Sequence, residues 1–173
     1  MSMKKTLELA KSLNEGDKTP LPKWLWKVES MPAFDGVTLE PEYIQQFGLP
    51  FPKFDTGNQI EVAGATLTFP GKIDVSSVTM LIHEDNKVRA LKYIFQWMSN
   101  IRNPVTGGYF LPSRYKKGIN VVLHDNKGDP LAKASLRGVW PSAIQDWELV
   151  YNDDGFHQVS VQLEVDASYL EIL

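Results

Sequence analysis

Residues 156–167 place the tightest constraint on the fold. There Val159, Val161, Leu163, Val165 and Ala167 alternate with Gln158, Ser160, Gln162, Glu164 and Asp166. A period of two puts the first set on one face of an extended chain and the second on the other, whereas a helix would scatter both around its surface. The run predicts a strand with one dry and one wet face, longer than the usual five or six residues. Long strands have long edges, and open edges pair with other chains unless they are blocked or used.

The residues before it continue the β pattern with one interruption. Residues 73–83 set Val78, Met80 and Ile82 against Ser77, Thr79, Leu81 and His83, a second strand. Residues 86–101 place Val88, Leu91, Ile94, Phe95, Met98 and Ile101 at helical spacing with Trp97 beside them. Asp85 or Asn86 can cap this helix, and Asn103-Pro104 ends it. Residues 119–124 and 131–139 flank the turn Asp125-Asn126-Lys127-Gly128 as a hairpin. A second hairpin is predicted from residues 144–151 and 156–167 through Asn152-Asp153-Asp154-Gly155.

The first half is less regular. Residues 6–13 fit a short helix stopped at Gly16, residues 24–31 a half-buried strand, and residues 59–62 and 65–69 a hairpin around Ala63-Gly64. Residues 32–58 carry Pro32, Pro41, Pro50 and Pro52 and read as an irregular loop with a short helix-compatible stretch at 42–47. That loop also holds Phe34, Tyr43, Phe47, Phe51 and Phe54, too apolar to lie free, so it packs either on its own core or on a neighbouring subunit. A length of 173 residues fits a single domain spanning 1–173. The architecture expected is mainly β (α+β): an antiparallel β-sandwich or small barrel flanked by one principal helix.

Composition excludes several function classes. With 43% hydrophobic and 23% charged residues the chain is expected to fold, and a net charge of −3 gives no basic footprint for tight DNA binding. Without cysteine there is no disulfide, thiolate zinc site or cysteine nucleophile. The first ten residues lack the apolar stretch of a signal peptide and no window is long enough for a membrane helix, so a soluble protein is expected.

Nor is there a catalytic pattern. His83, His124 and His157 are widely separated and form no metal-ligand spacing. Asp153-Asp154 and Glu84-Asp85 fall in turns, where acidic side chains serve local backbone hydrogen bonds. Gly107-Gly108 is not followed by the Lys-Ser/Thr of a phosphate loop, and no serine sits in a nucleophile elbow. A non-enzyme without cofactor or metal is expected.

Over residues 73–167 the order of parts resembles the tail tube proteins of contractile bacteriophages of the T4 type. The matching features are the strand into Asp85-Asn86, the helix with Phe95-Gln96-Trp97, Thr106-Gly107-Gly108, Tyr115-Lys116-Lys117, Gly138-Val139-Trp140-Pro141 and the closing strand. Residues 32–58 depart from that pattern in length and composition. The resemblance implies hexameric rings whose inner strands join one ring-wide β-barrel. Rings would stack into a hollow, sheathed tube on a baseplate, through which DNA passes without sequence-specific binding. Tubes of type VI secretion systems and contractile bacteriocins are related in fold. It implies a virion protein, assembled in the host cytoplasm and without membrane contact.

In such a ring Gln158, Gln162, Glu164 and Asp166 are candidates to line the lumen, where neutral or acidic side chains do not hold phosphate. The plain alternative is a solvated sheet face. Candidate contacts between subunits are Phe47, Phe51, Phe54, Lys116, Lys117, Trp140, Asp153 and Asp154. Trp140 beside Pro141 better suits a strand end filling the core or covering the edge, and the two lysines a solvated loop. Two rivals to the tube subunit are an initiator or baseplate-adaptor ring of the same fold, and a monomeric ligand-binding β-sandwich using Trp24, Trp26 and Trp147.

Overall fold

The computed structural model describes residues 21–145 and 155–173. Its strands are β1 (Trp26–Ser30), β2 (Ile44–Phe47), β3 (Pro52–Phe54), β4 (Asn58–Val62), β5 (Ala65–Phe69), β6 (Ile73–Val75), β7 (Val78–His83), β8 (Lys117–His124), β9 (Pro130–Ile144), β10 (Gln158–Glu164) and β11 (Ala167–Ile172). Helix α1 covers Arg89–Ser99, a single turn α2 covers Pro112–Tyr115, and a 3-10 turn at Pro41–Tyr43 leads into β2. The mainly β architecture with one principal helix is the one expected.

Seven strands form one antiparallel sheet in the order β1-β8-β9-β10-β7-β2, with β11 also paired to β9. Strands β1 and β2 end the path unpaired with each other, so the described strands close no barrel. Strand β9 serves both halves of the sheet. Its first part pairs with β8 and β11, and from Trp140 onward it pairs with β10. Between the parts the register shifts and Gly138 has a φ of +67°, a conformation that costs a glycine little and any other residue strain.

The period-two reading of the closing strand holds. Val159, Val161, Leu163 and Val165 are buried, and the polar residues between them are half-buried or exposed. The strand is shorter than expected: it stops at Glu164, the Asp166 amide donates to Arg137 O at 3.1 Å, and Ala167 begins β11 against the other half of β9. The run 73–83 is likewise two strands, because β6 pairs with β3 whereas β7 lies between β10 and β2. Residues 32–58 are more ordered than expected, holding the 3-10 turn, β2 and β3.

Helix α1 buries Ala90, Tyr93, Ile94 and Trp97, the i, i+3, i+4, i+7 stripe of a helix laid on a sheet. Val88 and Phe95, expected inside, are exposed. Tyr93 and Trp97 take the inner positions because each has a partner for its polar tip. The Tyr93 hydroxyl donates to Pro32 O and Trp97 Nε1 to Tyr115 O, both at 2.7 Å. Phe34 stacks on Trp97 with ring centroids 4.8 Å apart, so this part of the aromatic loop packs on its own core.

The helix starts at Arg89, and its N-cap residue Val88 makes no side-chain cap bond. Its free amides are taken by two carboxylates. Buried Glu84 accepts from Ala90 at 3.0 Å and Leu91 at 2.8 Å, and Asp85 from Arg89 at 3.2 Å. Asp85 was an expected cap; Glu84 was not. The short helix expected at 6–13, and residues 146–154 of the hairpin expected from 144–151 and 156–167, lie outside the described residues.

Candidate assembly interface

The most unusual surface is an arm between β2 and β7. Strands β3 and β6 pair at its root, and β4 and β5 pair beyond them around Ala63 (φ +51°) and Gly64 (φ +81°), the hairpin expected there. Every residue from 51 to 70 is exposed. Register sorts β4 and β5 into faces. Ile60 lies opposite Leu67 and Val62 opposite Ala65, with Phe69 two residues on from Leu67, while Gln59 faces Thr68 and Glu61 faces Thr66. One side is apolar and the other polar, yet Ile60 is 55% and Phe69 46% exposed. Lone two-stranded ladders are marginally stable in water, and an apolar face gains only when it is covered.

Beside the arm's root, Leu49, Phe51, Ala134, Leu136, Tyr169 and Leu170 wall a cleft of about 240 Å³. Ser168 also lines it, and its Oγ is buried with no hydrogen-bond partner. The guanidinium of Arg137 lies 5.4 Å from the centre of the Tyr169 ring. Sequence reasoning placed contacts at Phe51 and Phe54, both more than half exposed, but missed Ile60, Val62, Leu67 and Phe69. The signal lies in the alternation at 59–69, which sets Ile60, Val62, Leu67 and Phe69 on one side of the hairpin.

A second surface is the wet face of β10 and its neighbours. Gln158 Nε2 donates to Gln45 Oε1 at 2.6 Å, Gln162 Nε2 to Ser77 Oγ at 3.1 Å, and Ser142 Oγ to Glu164 Oε1 at 3.2 Å. Gln158 and Gln45 form one pair, while Ser142 Oγ also approaches Gln162 O at 3.3 Å and so links Ser77, Gln162 and Glu164 in a second group in which Glu164 is the charged member. None of the side chains in these bonds is a cation that would hold phosphate.

The other candidates have partners within the chain. Asp166 accepts from Lys116, and Lys117 Nζ donates to Ser113 O at 3.1 Å. Trp140, half-buried, meets Tyr115 edge to face with centroids 6.1 Å apart, and Phe47 packs against the core. Asp153, Asp154 and Trp147 lie outside the described residues. Trp24 is exposed, and Trp26 lies half-buried in an open groove between β1 and β2. Among the described residues no three His, Asp or Glu side chains gather as metal ligands, and no helix is long and apolar enough to cross a membrane.

This arrangement defines a class of scaffold, an antiparallel sheet carrying one helix and a projecting arm. The same fold occurs in components of contractile injection machines. A chain of the anti-feeding prophage tube-terminating cap is 14% identical, with a TM-score of 0.70, covering 92% of this chain and 95% of that one. A chain of the PVC sheath-tube complex of an extracellular contractile injection system, in its extended state, gives 14%, 0.68, 94% and 97%. The sheath/tube terminator of that system gives 14%, 0.69, 90% and 99%. No protein-family model matches the sequence, and no curated protein does.

Proposed function

We propose that this chain is the structural subunit of a phage tail tube. Six copies close into a ring, rings stack, and the hollow stack conducts the genome, with sheath outside and baseplate beneath. The chain works by self-assembly as a single domain and not by catalysis. The observation that carries this reading is the likeness to injection-machine components over nine-tenths of the chain. The uncovered arm supports it, since an apolar ladder of this kind calls for a neighbour.

In this ring the wet face of β10 lines the channel. Gln158, Gln162 and Glu164 are already hydrogen-bonded to Gln45, Ser77 and Ser142 and none of the six is cationic, so they offer passing DNA little to bind. A single terminal or initiating ring of the same fold is the second reading, favoured by the fact that two of the compared structures are terminators.

Negative-stain microscopy of the purified full chain over rising concentration separates the readings. Long tubes of constant diameter are expected. Rings that never lengthen support the terminal ring, and a monomer at high concentration overturns both.

A further inference from the structure

We propose that the outer edge of β1 pairs antiparallel with the outer edge of β11 in a second copy of this chain, an inference that rests on the tube reading. In the sheet order β1 and β11 flank β8 and the first part of β9, and among the described residues neither has a partner on its far side. Two strands lie between them, so the two edges of one chain cannot meet.

Backbone phase selects the partners. The His124 amide donates to Leu25 O, and the alternation of an antiparallel ladder then turns the amides and carbonyls of Trp26 and Val28 away from β8. The Leu173 amide donates to Leu131 O, so the same groups of Leu170 and Ile172 point away from β9. Setting Val28 against Leu170 and Trp26 against Ile172 joins them as two hydrogen-bonded pairs.

Side-chain faces and charge agree with this register. Val28, Val121, Ala134 and Leu170 form one row across the sheet, and the first three are buried. Lys27, Val122, Lys133 and Glu171 form the next row, on the other face. Both rows of one copy run on into those of the next. Leu170, 49% exposed, meets Val28, and Ile172, 83% exposed, meets Trp26. Lys27 comes to lie opposite Glu171, which makes no ion pair with a described residue. A slip of one residue sets apolar against charged side chains on both faces, and a slip of two parts Lys27 from Glu171. The bulge between Val28 and Ser30 ends the match. The joined edges belong to different strands, so the contact is heterologous and repeats into a closed ring or an open stack.

The absence of cysteine makes the test direct. Lys27→Cys and Glu171→Cys chains are mixed under assembly conditions and oxidised, with microscopy of the same samples. Opposed residues that share no hydrogen bond have Cα atoms about 4.5 Å apart, within disulfide reach. A disulfide-linked dimer is expected in the mixture and in neither chain alone, and none when Leu170→Cys, on the opposite face, takes the place of Glu171→Cys. Tubes or rings without the first dimer, or with both dimers equally, overturn the pairing and leave the tube reading standing, whereas a chain that never assembles overturns both. As a second measurement, Ile172→Pro removes an outward amide hydrogen that its own ladder does not use. Thermal melting of the unassembled chain is unchanged, and the concentration needed for assembly rises by about 3- to 10-fold, the loss of one backbone hydrogen bond per contact. An unchanged assembly concentration overturns the pairing.

Discussion

The Lys116 ammonium donates to both carboxylate oxygens of Asp166, at 2.8 and 2.7 Å, and that carboxylate lies directly over Gly138. The pair closes the corner where β9 passes from one half of the sheet to the other. Its charges are partly exposed, so Asp166→Asn lowers stability by less than about 1 kcal/mol. Gly138→Ala is the severe change, since a Cβ there collides with Asp166 and the positive φ adds strain of about 1–3 kcal/mol. Urea melts of the two variants in the unassembled chain separate the effects.

Buried Asn100 ties a loop to the helix. Its Nδ2 donates to Asp35 Oδ2 at 3.0 Å and its Oδ1 accepts from Arg114 Nε, while Gln96 Nε2 also reaches Asp35 at 2.7 Å. The Asn100 amide first, then Gln96 and the Arg114 charge, hold the Asp35 carboxyl below its ordinary range. A depressed carboxyl stabilises the fold above its unfolded pKa and loses that contribution as pH falls through the folded value. Stability therefore declines below about pH 4. Asp35→Asn, tolerated at a φ of +48°, flattens this decline in thermal melts between pH 3 and 7.

The Glu84 carboxylate accepts from three amides that are buried or partly buried, those of Asp85, Ala90 and Leu91. Glu84→Ala strands them at a buried helix start and costs about 1–3 kcal/mol. Hydrogen exchange localises the damage: amides of the first turn of α1 lose protection before those of β8 and β9.

Trp97 and Phe95 sit two residues apart on α1 with opposite environments, one fully buried and the other 59% exposed. Trp97→Ala removes the stack on Phe34 and costs about 3–5 kcal/mol. Phe95→Ala changes stability by no more than about 0.5 kcal/mol. Comparable losses from both in chemical denaturation would contradict this placement.

If β10 lines a channel, Gln158→Lys and Gln162→Lys together place cations there without touching the buried face. Assembled tubes of this variant retain nucleic acid at low salt and release it as salt rises. Co-sedimentation of labelled DNA with the tubes measures this, and retention equal to the native chain would move β10 off the lumen.

What could be read from the sequence was whatever a local period decides. The β10 alternation, the Ala63-Gly64 turn and the existence of α1 follow from spacing alone. What could not be read depends on partners far along the chain. Helical spacing alone admits Val88 and Phe95 as readily as Tyr93, whose place is fixed by Pro32 O. Nothing local announces that Ser76-Ser77 and Val165-Asp166 interrupt apparently continuous strands, because the breaks come from β6 and β11 joining other neighbours. The amphipathic hairpin was legible; that its apolar side stays about half exposed was not.

The sheet order places the C-terminal strands β8, β9 and β10 at the centre and the earlier β1, β2 and β7 on the flanks. On a ribosome β2 and β7 emerge early and can pair with each other, but β1 has no partner until β8 is made, and the other edge of β7 waits for β10. Nascent chains halted before β8 consequently own an arm but no body to carry it. In the proposed tube, a chain gains the body that carries its arm only once its last strands are made.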